Sequence, residues 1–412
     1  MALDIGFSKT KMSKAILLHT NIHQETYNAS KLAPIIDGGL EFGCTLSASN
    51  LQSYRVCSKV TGACCPTLIT LNNILEDSMF KIRALITALA LASSVSVALA
   101  WDTLPTEAPA PADNATTAAK IELGQMLYHD PRLSSTGTVS CSSCHNTMLG
   151  GEDNRPNSMG VNGQTGGRSA PTVWNAAFNT VQFWDGRAPS LEAQAAGPVT
   201  NPIEMGMKSW DDVVARLQSI EGYQKPFEQA FGKDAISKDN ATKAIAAYER
   251  TLITPNSPYD RYVSGDKSAL SAQQVRGMEK VAELGCTHCH SGPAFNGPGM
   301  FQKFPAIPNG YWEAQHHFSK DKGLAEVSKN PADEHLWKVP TLRNIALTAP
   351  YFHNGSVKTL DKAVTLMAKL QLGKDLTKEE VADIVAFLDG LTGEFPKQKM
   401  PVLPGTPGST FN

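Results

Sequence analysis

The sequence has little charge of either sign in excess, no apolar run long enough to cross a bilayer, and no spare cysteine beyond residue 65. Over 412 residues the formal net charge is -2 and 18% of residues are charged, which leaves no basic footprint for nucleic acid. The apolar run from Ala84 to Ala92 is too short to span a membrane. Histidine is missing from Asn146 to Thr287. Strand-like alternation is scarce, which argues against a sheet-built fold.

The short apolar run has a recognisable context. Lys81 and Arg83 precede it, and Ala98-Leu99-Ala100 follows as a small-residue cleavage site. That order is the pattern of a secretory signal peptide over residues 79–100. Residues 1–78 then read as a translation artefact upstream of a start at Met79. The exported chain would begin at Trp101 and reside in the periplasm, and residues 101–114 (WDTLPTEAPAPADN), rich in proline and alanine, read as a flexible leader.

Four cysteines lie upstream of that start, at 44, 57, 64 and 65; the other four are Cys141, Cys144, Cys286 and Cys289. An exported protein ordinarily spends cysteines on disulfides. Here they form CSSCH, ending at His145, and CTHCH, ending at His290. Two thiols at that spacing add to the two vinyl groups of one haem, and the following histidine supplies the proximal ligand to its iron. Zinc needs four ligands, and each motif offers at most three nearby. The expectation is two covalently bound haem c groups.

Helical signals surround both motifs. Ile121, Leu123, Met126 and Leu127 mark one face before the first motif, which Asp130-Pro131 ends. Ser271 is placed as an N-cap before Val275, Met278 and Ala282. Thr377-Lys378-Glu379-Glu380 is a capping box before the stripe Val381, Ile384, Val385 and Leu388, with Gly390 as the stop. Residues 210–253 also read as helical. The predicted class is mainly α, with two c-type cytochrome-like haem domains and long loops. The N-terminal one spans 115–265 and the C-terminal one 266–412.

Several longer blocks accompany the haem motifs: LYHDPRLS (127–134), SAPTVWNAAFNTVQFWDGRA (169–188), EAQAAGPV (192–199), KVPTLRNIALTAPYFHNGSV (338–357) and AVTLMAKLQLG (363–373). Together they resemble the bacterial di-haem cytochrome c peroxidases over nearly all of residues 115–405. The resemblance implies that the N-terminal haem reduces hydrogen peroxide to water. The C-terminal haem would receive electrons from a small cytochrome c or a cupredoxin, and the protein would be a homodimer. It further implies that Glu204 is the acid–base residue and that Gln194 orients peroxide. Phe183 and Pro198 would flank the distal pocket, Trp184 would conduct electrons between haems, and Met367 would be the sixth ligand of the His290 haem. The family carries an inter-haem calcium on an asparagine side chain and two carbonyls. The carbonyls map to Thr348 and Pro350; the asparagine position is Ser169, a weaker ligand for a hard cation.

One departure stands out. Many members cap the peroxidatic iron with a histidine that electron input displaces, and that place reads Gly160-Val161-Asn162 here. Valine cannot bind iron, so the expected resting site is open. His316, His317 and His335 read as surface residues. The competing functions are a di-haem oxidase acting on a partner protein, which would carry tyrosine in place of Met367, and a non-catalytic electron carrier, which needs no Glu204.

Overall fold

The computed structural model describes residues 102–406. The proposed signal peptide and upstream segment lie outside the described residues. Helices dominate. The first part carries α1 (Ala118–His129), α2 (Cys141–Cys144), α3 (Leu191–Thr200), α4 (Trp210–Ser219), α5 (Gln224–Phe231) and α6 (Lys238–Glu249). The second carries α7 (Pro258–Val263), α8 (Ala272–Glu283), α9 (Gly310–His316), α10 (Ala325–Ser328), α11 (Leu360–Leu372) and α12 (Lys378–Asp389). Two three-residue strands, β1 (Phe301–Lys303) and β2 (Leu336–Lys338), pair antiparallel.

The caps fall where the sequence puts them. Ser271 accepts from the Gln274 amide and Gln274 caps back, and Thr377 and Glu380 do the same for α12. The helical expectation over 210–253 resolves into α4, α5 and α6. Gly232, at positive φ, ends α5.

Two helix crossings organise the core. Gly124 in α1 lies against the Ala244 carbonyl of α6, and a Cβ there would sit 1.9 Å from that oxygen. Gly277 in α8 meets the Asp383 carbonyl of α12 in the same way, again at 1.9 Å. One turn beyond each contact an aromatic residue, Tyr248 or Phe387, covers the glycine. Around the first crossing gather Leu123, Leu127, Trp174, Leu217 and Phe227; around the second, Tyr259, Val281, Phe295, Ile384 and Leu388. Each such side chain contributes about 1.5–3 kcal/mol by leaving water.

A second internal repeat links the halves. Asn175 and Asn344 are both left-handed, and each opens a 3-10 turn. Their side chains both donate to the Thr254 hydroxyl, at 2.8 and 2.9 Å. In the same register, Phe183 and Phe352 take positive φ, inside turns closed by the bridges Gln182–Ala188 and Tyr351–Val357. Such strain costs on the order of 1–3 kcal/mol per residue and persists only where the surroundings fix it. Continuing the register, α3 and α11 start at matching positions, Leu191 and Leu360. Pro198 then corresponds to Met367, Trp184 to His353, and Ser169 to Lys338.

The repeats dock reciprocally. The Ser169 amide donates to the His353 carbonyl at 2.8 Å, and the Lys338 amide donates to the Trp184 carbonyl at 2.9 Å. The expected flexible leader is instead held down. Leu104 is 3% exposed and its amide donates to Asp260; Asn114 is fully buried and donates to Glu192 and the Lys243 carbonyl. Its proline content misled, because two buried anchors outweigh a permissive composition. Asp260 in turn forms a two-pronged pair with the fully buried Arg343, at 2.7 and 2.8 Å.

Candidate functional site: two haem cavities joined at Trp184

Two cavities open beside the two thiol–imidazole motifs. The first encloses about 940 Å³ and is walled by Cys144, His145, Phe183, Gln194, Pro198 and Glu204, among others. The second has two lobes of about 700 and 900 Å³, which share Trp184, Cys286, His290, Phe352 and Met367. None of the four cysteines of these motifs is engaged in a disulfide, so both pairs are available for thioether bonds.

The histidines are oriented alike. His145 Nδ1 lies 2.9 Å from the Pro171 carbonyl, and His290 Nδ1 lies 3.1 Å from the Pro340 carbonyl. A carbonyl only accepts, so each Nδ1 carries the proton and each Nε2 keeps its lone pair for a metal. The second cavity also contains buried polar atoms without partners: Trp337 Nε1, His353 Nε2 and Gln371 Oε1. Beside them Lys338 is 9% exposed. Its ammonium reaches only the neighbouring Val339 carbonyl, at 3.5 Å, and burial pushes its pKa down to about 8. Nearly all native buried polar groups are satisfied, so the donors among them, the Trp337 indole N–H and the Lys338 ammonium, point to a bound group with acceptor oxygens of its own. A haem c, with two thioether bonds, an axial imidazole and two carboxylates, fits each requirement.

The cavities differ where the repeat aligns them. Met367 of α11 faces the second, and its counterpart Pro198 of α3 faces the first. A thioether can ligate iron; a proline ring cannot. Beside Pro198 the first cavity holds Gln194 and Glu204. The Glu204 carboxylate accepts from the Asn201 amide at 2.9 Å. Burial raises its pKa, against the opposing pull of Arg187 and of that hydrogen bond. Trp184 lines both cavities, donates through Nε1 to the Ser169 carbonyl at 2.9 Å, and sits 6.5 Å from the His353 ring.

Comparison with known proteins agrees with this arrangement. The sequence profile of the di-haem cytochrome c peroxidases matches residues 118–268. A cytochrome c551 peroxidase of Nitrosomonas europaea is 44% identical over 294 residues, covering 71% of this chain and 86% of that protein. The chain belongs to the di-haem cytochrome c peroxidase family. The cytochrome c peroxidase Ccp of Escherichia coli K12 is 46% identical over 287 residues, or 70% of this chain and 61% of that protein. Among solved structures, a MauG-like protein associated with microbial copper homeostasis superposes with a TM-score of 0.64 at 29% identity, over 71% of this chain and 94% of the other. Di-haem peroxidases are oxidoreductases, and the chain is an enzyme of that class.

In this di-haem peroxidase family member, Val161 is 2% exposed and packs into the first core cluster. Its amide donates to the Glu204 carbonyl at 2.8 Å, so this loop braces the Glu204 backbone while the Val161 side chain points into the core. Among the described residues, the one imidazole lining the first cavity is His145. At the proposed calcium position, Ser169 is 4% exposed and its hydroxyl donates weakly to the Arg155 carbonyl, at 3.4 Å. The Asn154 amide donates to the carbonyls of Leu347 and Ala349, on either side of Thr348, at 3.2 and 3.1 Å. Pro350 follows directly. His316 departs from its surface assignment. It is half-buried in a stack between Trp312 and Phe318, with both ring nitrogens buried and unpartnered, because α9 turns its last residue inward.

Two residues of the first cavity wall, Arg187 and Glu249, and one that braces it, Asn201, were not singled out by the sequence. Arg187 lies 3.4 Å over the Phe183 ring and pairs with Asp185 at 2.9 Å. Asn201 holds Glu204. Glu249 ends α6 inside the cavity wall. The signal for Glu249 was visible: a carboxylate closing the apolar run Ala244-Ile245-Ala246-Ala247-Tyr248.

Proposed function

We propose that the chain is a periplasmic di-haem peroxidase. It reduces hydrogen peroxide to two waters with two protons and two electrons, and the electrons come from a small cytochrome c or a cupredoxin. The observation that carries this is the asymmetry of the repeat: Pro198, Gln194 and Glu204 at one cavity, Met367 at the other. When bound at Cys141, Cys144 and His145, the first haem would supply the redox chemistry for peroxide reduction. Glu204 takes the proton from the near oxygen and returns it to the departing one. Gln194 orients the peroxide, and Phe183 and Pro198 keep the distal face apolar. Met367 and His290 would hold the iron of the second haem, which would suit it to receive electrons and pass them on by way of Trp184.

Met367 disfavours the oxidase that acts on a partner protein, since that relative carries tyrosine there. A pure carrier has no use for Glu204. A calcium on the carbonyls of Thr348 and Pro350, with Ser169 as its third protein ligand, belongs to the same reading, as does a homodimer. The export signal at 79–100 supports the location, and intact-mass analysis of the natively made protein tests it by showing whether Trp101 is the first residue.

The decisive test of the chemistry is Glu204→Gln, which keeps shape and removes the proton carrier. General acid–base groups contribute roughly 10²–10⁴-fold. Peroxidase turnover falls by about that factor with both haem spectra intact. Turnover within about threefold of the parent would place the acid–base role elsewhere.

A further inference from the structure

Glu249 is the last residue of α6, and it is 6% exposed. It lines the first cavity with Cys144, His145, Gln194 and Glu204. Its Oε2 is buried with no hydrogen-bond partner. The second half shows what the fold itself requires here. Helix α12 crosses α8 as α6 crosses α1, and the residue after the aromatic that covers each glycine is Glu249 in one crossing and Leu388 in the other. Leu388 is 4% exposed and belongs to an ordinary apolar cluster. Replacing that hydrocarbon with an unpaired carboxyl costs stability, and packing gives no reason for it.

The charged and titratable groups around Glu249 do not neutralise it. Arg250, the next residue, gives its guanidinium to Glu192 of α3 at 2.8 Å, and its other terminal nitrogen is buried without a partner. Tyr128 of α1, Tyr248 of α6 and Cys141 of α2 share its field and carry no positive charge. Glu204 lies on the same cavity wall. Burial is the largest influence, Arg250 opposes it in part, Glu192 adds to it, and the carboxyl is pushed up to about 8.

We propose that Glu249 is a redox-linked proton site of the first haem, separate from Glu204. The inference rests on the reading that this cavity holds a haem. Adding one electron to a ferric haem held by His145 would remove one positive charge from the cavity that the carboxylate lines. That change favours the neutral acid, so Glu249 binds one proton from solvent as the electron arrives from the donor protein. Oxidation reverses both transfers. The site thus keeps the cavity's net charge constant and stores a proton beside the peroxide-reducing centre.

The test is an equilibrium redox titration of each haem in the holoprotein across about pH 6 to 9, spanning the pH range where this carboxyl titrates. The first haem's midpoint potential should fall with rising pH, with a slope approaching one proton per electron. The second haem should change far less. Glu249→Gln and Glu249→Leu should flatten the first slope, and Glu204→Gln should leave it in place. Proton uptake on reduction of the parent protein in weakly buffered solution gives an independent reading that needs no variant. A flat slope in the parent, or an undiminished slope in either Glu249 variant with both haems attached, overturns the proposal. A slope lost only in Glu204→Gln assigns the proton to Glu204 instead. A protein with haem at the second motif alone would defeat the functional reading, a failure distinguishable from the others by haem content.

Discussion

Met367 and Pro198 share one place in the internal repeat, and only the thioether can bind iron. A thioether raises a haem's potential relative to an imidazole. Met367→His should therefore lower the potential of the second haem and leave the first nearly unmoved, as followed by spectroelectrochemistry; an unchanged potential would reduce Met367 to packing. Glu152 offers a different test at this scale. It is 1% exposed, and burial, with Asp153 adding to it, pushes its pKa up to about 8. Its folded pKa lies above the unfolded value, so its neutral form stabilises the fold. That contribution is complete below about pH 4.5 and is lost as pH rises through about 8. Glu152→Gln should thus gain on the parent by on the order of a few kcal/mol across that window, measured as unfolding free energy against pH. Parallel curves would show that Glu152 does not titrate there.

At the scale of elements, two glycine crossings hold the two halves in the same form. Alanine in a helix interior is ordinarily better than glycine by about 1 kcal/mol. Here a Cβ would sit 1.9 Å from a carbonyl oxygen at Gly124 and at Gly277. Overpacking costs typically ~1–3 kcal/mol or more, so the clash wins. Gly124→Ala and Gly277→Ala should each lower the urea midpoint, and a rise in either would mean that the crossing is loose. The elements were the most legible part of the sequence. The capping boxes at Ser271 and Thr377 and the Asp130-Pro131 stop are local chemistry, which a linear reading reaches. The turns at Phe183 and Phe352 were not legible, because no local propensity asks phenylalanine to take positive φ. They are held by contacts remote in sequence, among them the reciprocal bonds from the Ser169 and Lys338 amides to the residues that follow each phenylalanine. The leader was misread for the same reason: its anchors, Asp260 and Glu192, are far away in sequence.

At the scale of the whole molecule, the arrangement is a duplicated frame with unequal contents. The two thiol–imidazole motifs, each of which lines a cavity in the structure, were readable from spacing alone. Gln194 and Glu204 needed the family resemblance, because a lone amide and a lone carboxylate carry no signal of their own. Arg187 and Asn201 needed the structure, since their roles arise from contact with Phe183 and Glu204. The same frame places Trp184 against both cavities.

On the proposed reading, a haem in the first cavity has no protein ligand on its second face at rest. Val161 is packed away in the core, Pro198 cannot ligate, and among the described residues His145 is the one imidazole in the wall. The direct measurement is to mix the fully oxidised protein with one equivalent of peroxide and follow the Soret band. The expected result is an immediate change at the first haem with no prior reduction of the second. Low-spin bis-histidine spectra at rest, and no reaction until an electron is added, would contradict the claim and require a remote histidine to reach the first iron.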